Sequence, residues 1–394
     1  MNSADVVVVG LGAMGSASLY QLARRGARVI GIDRHVPPHN YGSSHGETRI
    51  TRQAIGEGAA YVPLVLRSHQ IWRELEAQTG ASLFLACGGL MLSSPVGEAL
   101  HHGKPQFLQC TIQAARQFGI PHEVLDAAQI EARFPQFGLK GDETGYYEPG
   151  AGLLYPERCI QVQLEQAQRL GASLHTGERV QRMIPQADGV WVETDKNRYT
   201  AAKVVVSAGA WAADLLGEPF KRVLRVYRQV LFWLEARDPQ TYAPGRFPIF
   251  IWMFGSGEGE HFYGFPQVAQ GVKVATEQSR VSTHPDQVER SVQGAETQAF
   301  LERYVQGRLK GLGPACLKSA TCLYTCTADG DFILDHHPDS ERILVASPCS
   351  GHGFKHSAAV GEIMAELALE GQSTLDITPF RLSHRPPWAH NVSA

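Results

Sequence analysis

The sequence predicts an α/β chain, α+β overall, made of two interleaved domains, and three observations carry that reading. Residues 5–33 read as a buried strand, a Gly-rich turn, a helix and a second strand that ends in an acid. Residues 223–276 read as a run of strands in an antiparallel sheet with one solvated face. Residues 343–370 return to strand, Gly-rich turn and helix.

The opening unit is the most specific of the three. Gly10, Gly12 and Gly15 form G-x-G-x-x-G directly after an apolar strand and directly before a helix. Gly10 permits the tight turn, Gly12 lets the backbone approach a pyrophosphate, and Gly15 lets helix and strand pack closely. The helix N-terminus turns free N–H groups and a positive dipole end toward the phosphates. Asp33 lies eighteen residues after Gly15, where an acid meets an adenosine ribose hydroxyl, and Met14 and Arg34 flank the same site. The unit is a Rossmann-like dinucleotide site; the plainer reading is a Gly-rich turn in an ordinary α/β domain.

The remaining elements follow in order. A polar, Gly-rich segment at 40–52 precedes an amphipathic helix at 61–79, with Val62, Leu66, Ile71 and Leu75 on one side. Residues 83–92 read as one or two strands, and 107–118 and 126–134 as helices. Residues 160–170 form a helix, followed by short strands at 174–175, 179–184 (with Val180) and 190–194. The buried strand 203–207 ends in Ala208-Gly209-Ala210-Trp211, a small-residue turn that suits a second phosphate- or adenine-side loop and equally suits a plain turn. Strands at 223–234, 247–252, 261–265 and 272–276 precede a helix at 297–309. Strands at 332–334 and 343–346 lead to Ser350-Gly351-His352-Gly353-Phe354-Lys355 and a helix at 358–370. This order implies a dinucleotide domain of residues 1–80, 150–218 and 320–385, and a substrate domain of residues 81–149 and 219–319.

Bulk composition narrows the function class. The apolar and charged fractions, 43% and 19%, are those of a globular chain, and the net charge of −3 argues against a nucleic-acid surface. No stretch is long and apolar enough to span a bilayer, and no signal peptide is expected before the first strand. The seven cysteines are odd in number and none pair at C-x-x-C spacing, which points to reduced thiols in a cytoplasmic protein and no metal site.

NAD and FAD share the opening motif. The late Gly-rich unit tips the choice to FAD, because a second helix N-terminus preceded by glycines suits the flavin and ribityl end, and no second complete fingerprint exists for a separate NAD domain. Residues 42–52 (Gly42, Ser43, His45, Thr48, Arg49 and Arg52 among them) place two arginines three apart, suited to clamping a carboxylate and contacting a flavin. A solvated basic turn is the alternative.

Here a family becomes recognisable. The runs from His45 to Arg52, Tyr263 to Pro266, Thr321 to Thr325 and Ser350 to Lys355, in order and over nearly the whole chain, resemble the monomeric sarcosine oxidase and N-methyltryptophan oxidase family. The resemblance implies FAD attached covalently through Cys322, by attack of its thiolate on the electron-poor flavin methyl group. It implies a substrate carboxylate held by Arg52 and Lys355, and O2 activated near Lys273, a cation that stabilises superoxide. Tyr263 matches a pocket tyrosine. Thr48 and Arg49 match residues near the flavin, and His45 tunes the site. Gly351, Gly353 and Phe354 complete the cofactor set.

One position departs from the pattern. Four residues after Lys273 the family has a pocket histidine, and this chain has Glu277. An acid there repels a simple carboxylate substrate, recruits a substrate with a second cationic or donor group, or turns away. The sequence therefore predicts a monomer that oxidises a secondary amino acid, N-methyl or cyclic, with FAD and O2, giving an imine that hydrolyses and H2O2. The alternatives are a dehydrogenase passing electrons to a quinone or carrier protein, an NAD-dependent dehydrogenase, and a non-catalytic flavin-binding subunit.

Overall fold

The computed structural model describes residues 2–94, 101–102, 104–257 and 259–388. Two large sheets organise it. The first, of eight strands, has a parallel centre: Ser3–Val9 lies between Val29–Asp33 and Arg198–Val206, with Ser173–Thr176 and Ser340–Ser347 outside them. Strands buried on both faces need continuous apolar runs, and Val6 to Val9 supply one at the sheet's middle. The helix Ala13–Arg24 covers this sheet together with Pro156–Arg169 and Ser357–Leu369. It crosses the last of these so closely that a Cβ on Gly361 would stand 2.4 Å from Ala17.

The second sheet, of nine strands, is antiparallel except where Ile249–Met253 runs parallel to Gly89–Ser93. Its spine is Arg225–Ala236, which pairs with Val272–Ala275 on one side and Leu312–Cys326 on the other. An aromatic cluster including Phe232, Phe250, Trp252, Phe262 and Phe300 packs on one face. A third, small sheet joins Arg49–Thr51, Gly152–Leu154 and Phe84–Ala86.

Differences from the sequence reading have local causes. The strand Leu312–Cys326 was not expected: its first half holds Gly313 and Pro314 and is largely exposed, a composition only a strand with a single partner tolerates. The expected boundary at residue 320 falls inside it. The helix expected at 297–309 starts earlier, at Gly294, and runs through a wide turn, Leu301–Val305, to end there. In Val62–Thr79 the buried face includes Leu64, Val65 and Trp72, while Leu66 is half-buried. The strands Thr144–Glu148 and Gly152–Leu154 were likewise unforeseen. The seven cysteines are unpaired thiols, and among the described residues no helix is long and apolar enough to cross a membrane.

Candidate active site

A cleft of about 480 Å³ runs along the C-terminal ends of the parallel strands, where ligands of open α/β sheets bind. Its walls bring together Gly10, Gly12, Met14, Asp33, Arg34, Gly42, Ser43, Arg49, Val180, Ala208, Gly209, Trp211, Gly351, Gly353 and Phe354. Gly10 has φ +85°, and a Cβ there would press within 2.6 Å of the Ser207 carbonyl oxygen. Gly15 lies behind the wall, where a Cβ would meet the Gly10 oxygen at 1.7 Å; its role is helix–strand packing. Asp33 braces the turn as well as facing the cleft, accepting from Leu11 N–H and His35 N–H, each at 2.7 Å. Gly12 has no side chain to cap the helix that follows it, and the Ser44 hydroxyl accepts from Ala13 N–H at a long 3.4 Å. Arg34 stacks on Trp211 and pairs with Asp286.

A second, smaller cavity of about 60 Å³ adjoins the cleft, and Arg49, Tyr324, Gly351 and Phe354 wall both. At its floor Arg52 and Glu57, each 1% exposed at the side chain, form an ion pair of 2.6 Å. Lys355 Nζ lies 3.8 Å from the same carboxylate and donates to the His352 carbonyl oxygen at 2.7 Å. Burial would raise the Glu57 carboxyl, but Arg52 and Lys355 hold it well below the usual range. Burial pulls the Lys355 amine down to about 7.

Lys273 is buried and donates to Gly46 O at 2.7 Å, Thr48 O at 2.8 Å and Thr48 Oγ1 at 3.2 Å, with Phe265 beneath its ammonium. Three acceptors match its three protons, while burial, followed by Arg49, pulls its pKa well down. Arg49 in turn donates to the carbonyls of Ser43 and Thr48. His45 is neutral, pushed to about 3 by burial and by Arg49. The Tyr263 hydroxyl meets that of Tyr324 at 3.2 Å.

Cys322 packs with Leu231, Trp233 and Ala275, next to Tyr263 and Tyr324, and walls neither cavity; Cys349 walls the cleft. Burial raises the Cys322 thiol, with Arg49 and Lys273 pulling the other way.

Glu277 does face the small cavity, but its carboxylate is engaged: His102 Nε2 lies 2.9 Å from one oxygen and 3.1 Å from the other, with His261 Nε2 at 3.7 Å. His101, His102, His352, Tyr324 and Glu57 also wall this cavity, and sequence reasoning did not name them as site residues. Glu57, between Gly56 and Gly58 and five residues after Arg52, carried a faint local signal. Nothing local marks His101 or His102 as site residues.

Comparison with known proteins places the chain in a family. The sequence pattern of the family described as FAD dependent oxidoreductase matches residues 5–367. A monomeric sarcosine oxidase of Streptomyces avermitilis is 40% identical over 97% of this chain and 98% of its own length. An N-methyl-L-tryptophan oxidase of Yersinia pestis is 35% identical over 96% and 98%. Among solved structures, NikD, an unusual amino acid oxidase essential for nikkomycin biosynthesis, superposes with a TM-score of 0.83 at 27% identity, covering 97% of this chain and 98% of its own. An L-proline dehydrogenase from P. horikoshii shares the fold at 20% identity and a TM-score of 0.78 over 96% of this chain and 97% of its own.

Proposed function

The chain belongs to the FAD-dependent oxidoreductases, and we propose that within them it oxidises a small secondary amino acid, N-methylated or cyclic, to its imine. It is a flavin oxidoreductase acting on CH–NH donors with oxygen as acceptor. One observation carries the substrate reading. Arg52 and Lys355 converge on a single buried carboxylate, that of Glu57, in a cavity sharing four wall residues with the FAD cleft. A site that keeps its own carboxylate out of water carries the charged donors that a substrate carboxylate needs.

The residues of the cleft fit FAD: the glycine cradle at Gly10, the helix start after Gly12 and the second glycine turn at Gly351 and Gly353 lie along one elongated cleft. FAD, when bound, supplies the oxidising chemistry and its reoxidation by O2 to H2O2. The chain's own residues do the rest. Arg52 and Lys355 fix the carboxylate end of the substrate. Arg49 and Lys273, beside the reacting end, disfavour a protonated amine, which keeps the lone pair available. Phe265, Ile251, Tyr263 and Phe354 exclude water. Lys273 provides positive charge for oxygen reduction, and Cys322 carries the covalent link to the flavin. The space at the substrate end is small, about 60 Å³, which favours a compact amino acid such as sarcosine over one with an indole side chain. The thiols and the globular composition suit a cytoplasmic monomer.

The test is anaerobic titration of the bound flavin's absorbance with sarcosine, other N-methyl amino acids, proline, pipecolate and glycine. Bleaching by a small secondary amino acid, followed by peroxide on readmission of air, is the expected result. A flavin that dithionite reduces and no panel member reduces would sink the reading.

A further inference from the structure

Both ring nitrogens of His102 meet carboxylates: Nδ1 stands 3.1 Å from Glu57 Oε1, and Nε2 stands 2.9 Å from Glu277 Oε2. Carboxylates only accept, so an imidazole bonded at both nitrogens donates from both and is the cation. Burial alone would lower its pKa, yet Glu277 and Glu57 together raise it to about 9. The same imidazolium ties Glu277 down, holding that carboxyl well below its usual range against the effect of burial. His101 and His352 pack against the His102 ring, and burial keeps both neutral.

This arrangement bears on the carboxylate clamp. Glu57 is bonded by Arg52 at one oxygen and His102 at the other, while Lys355 and the His352 ring nitrogen stand off at 3.8 and 3.9 Å. When a substrate carboxylate takes Arg52, Glu57 stays buried, and His102 is the hydrogen-bonded counter-charge left to it. We infer that His102 is a positioning residue of the carboxylate clamp, keeping Glu57 in place while Arg52 serves the substrate, and that Glu277 is the anchor of His102 rather than a reader of the substrate side chain. The charges close on that assignment. Arg52 and His102 balance Glu57 and Glu277, which leaves Lys355 as the cation of the clamp that neutralises the substrate carboxylate, while Arg49 and Lys273 stand at the reacting end. A second cationic group on the substrate has no free acid to meet. The departure at Glu277 and the histidine at 102 are thus two halves of one device.

This inference rests on the carboxylate-clamp reading, and its test separates the two. The probe is methoxyacetate, which has the shape of sarcosine and no oxidisable amine; its binding is followed through the flavin absorbance of the holoenzyme. For His102→Gln the dissociation constant should rise about tenfold or more, as for loss of one member of a buried charge pair. The limiting rate of flavin reduction by the wild type's substrate should change less than the affinity does. Glu277→Gln should show a similar loss, and the double variant little more than either, because the residues act as one unit. Flavin content and melting temperature confirm that each variant folds; Glu277→Gln, nearly isosteric, serves if His102→Gln does not. Equal affinity in wild type and variants would overturn the inference. So would a gain for Glu277→Gln on substrates with neutral side chains matched by a loss on cationic ones, or a divalent metal bound one per chain at this cluster. If the wild type oxidises no secondary amino acid, the functional reading fails instead.

Discussion

Cys322 illustrates how chemistry at one residue depends on what surrounds it. Its thiol is 1% exposed and burial raises it, while Arg49 and Lys273 favour the thiolate. Cys349 walls the FAD cleft and is the competing nucleophile by position. Cys322→Ser should yield protein whose flavin separates on denaturation, read as loss of in-gel fluorescence, and Cys349→Ser should keep it; the reverse pattern would reassign the link. Lys355 gives a pH prediction. A lysine pulled from 10.5 down to about 7 is cationic below that pH and neutral above it. Carboxylate binding needs the cation, so the dissociation constant for methoxyacetate should climb as pH rises through about 7, by at most about tenfold per unit, with proton uptake in calorimetry. A constant affinity from about pH 6 to 9 would refute it. The glycines were legible in the sequence because each sits in a motif whose residue types the chemistry dictates, while Arg52, Lys273 and Lys355 were reached through the family resemblance. His102 was not, since its meaning comes from Glu57 and Glu277, which lie 45 and 175 residues away.

At the scale of elements, the Gly-rich turn is only as well placed as the helix behind it. The helix Ala13–Arg24 is held by its crossing with Ser357–Leu369, where Gly361 leaves no room for a side chain against Ala17. Gly361→Leu would force the helices apart, at about 1–3 kcal/mol or more for overpacking, and shift the turn that carries Gly10 and Gly12. Melting temperature and the flavin-to-protein ratio should both fall; a variant with both unchanged would show that the crossing has slack. The βαβ unit and the late strand–turn–helix could be anticipated because periodicity and glycine position coincide there. Leu312–Cys326 could not: half of it is solvent-facing and carries Pro314, and its strand character comes from eleven aligned partners on Arg225–Ala236.

That strand matters most for the whole molecule. It belongs to the antiparallel sheet by hydrogen bonding, yet it carries Tyr324 to the wall of a cleft built largely by the parallel sheet, with Cys322 packed next to it. Trp211 and Arg34 on one side both meet Asp286 on the other, and Arg290 donates to the Asn40 and Tyr41 carbonyls. These polar ties are exposed or half-buried, and pairs of that kind are worth little each. One buried apolar core also runs from Val6 and Val8 of the parallel sheet to Met91, Ile249 and Ile251 of the antiparallel one, and we propose that the cofactor braces the two further, since FAD in the cleft would touch Tyr324 of one and the glycine turns of the other. A ligand that binds only the folded chain stabilises it by RT ln(1 + [L]/Kd), about 2.7 kcal/mol at a hundredfold excess over Kd. In the Cys322→Ser protein, where the cofactor exchanges, the melting temperature should therefore climb with the logarithm of added FAD, by several degrees over two decades. Because the strand Leu312–Cys326 links the cleft to the far sheet, the calorimetric transition should move as a whole. A trace in which one component shifts and a second stays fixed would mean that the sheets unfold independently and that the cofactor braces only the parallel one. The placement of Lys273 at the cleft would then rest on its own buried bonds to Gly46 and Thr48.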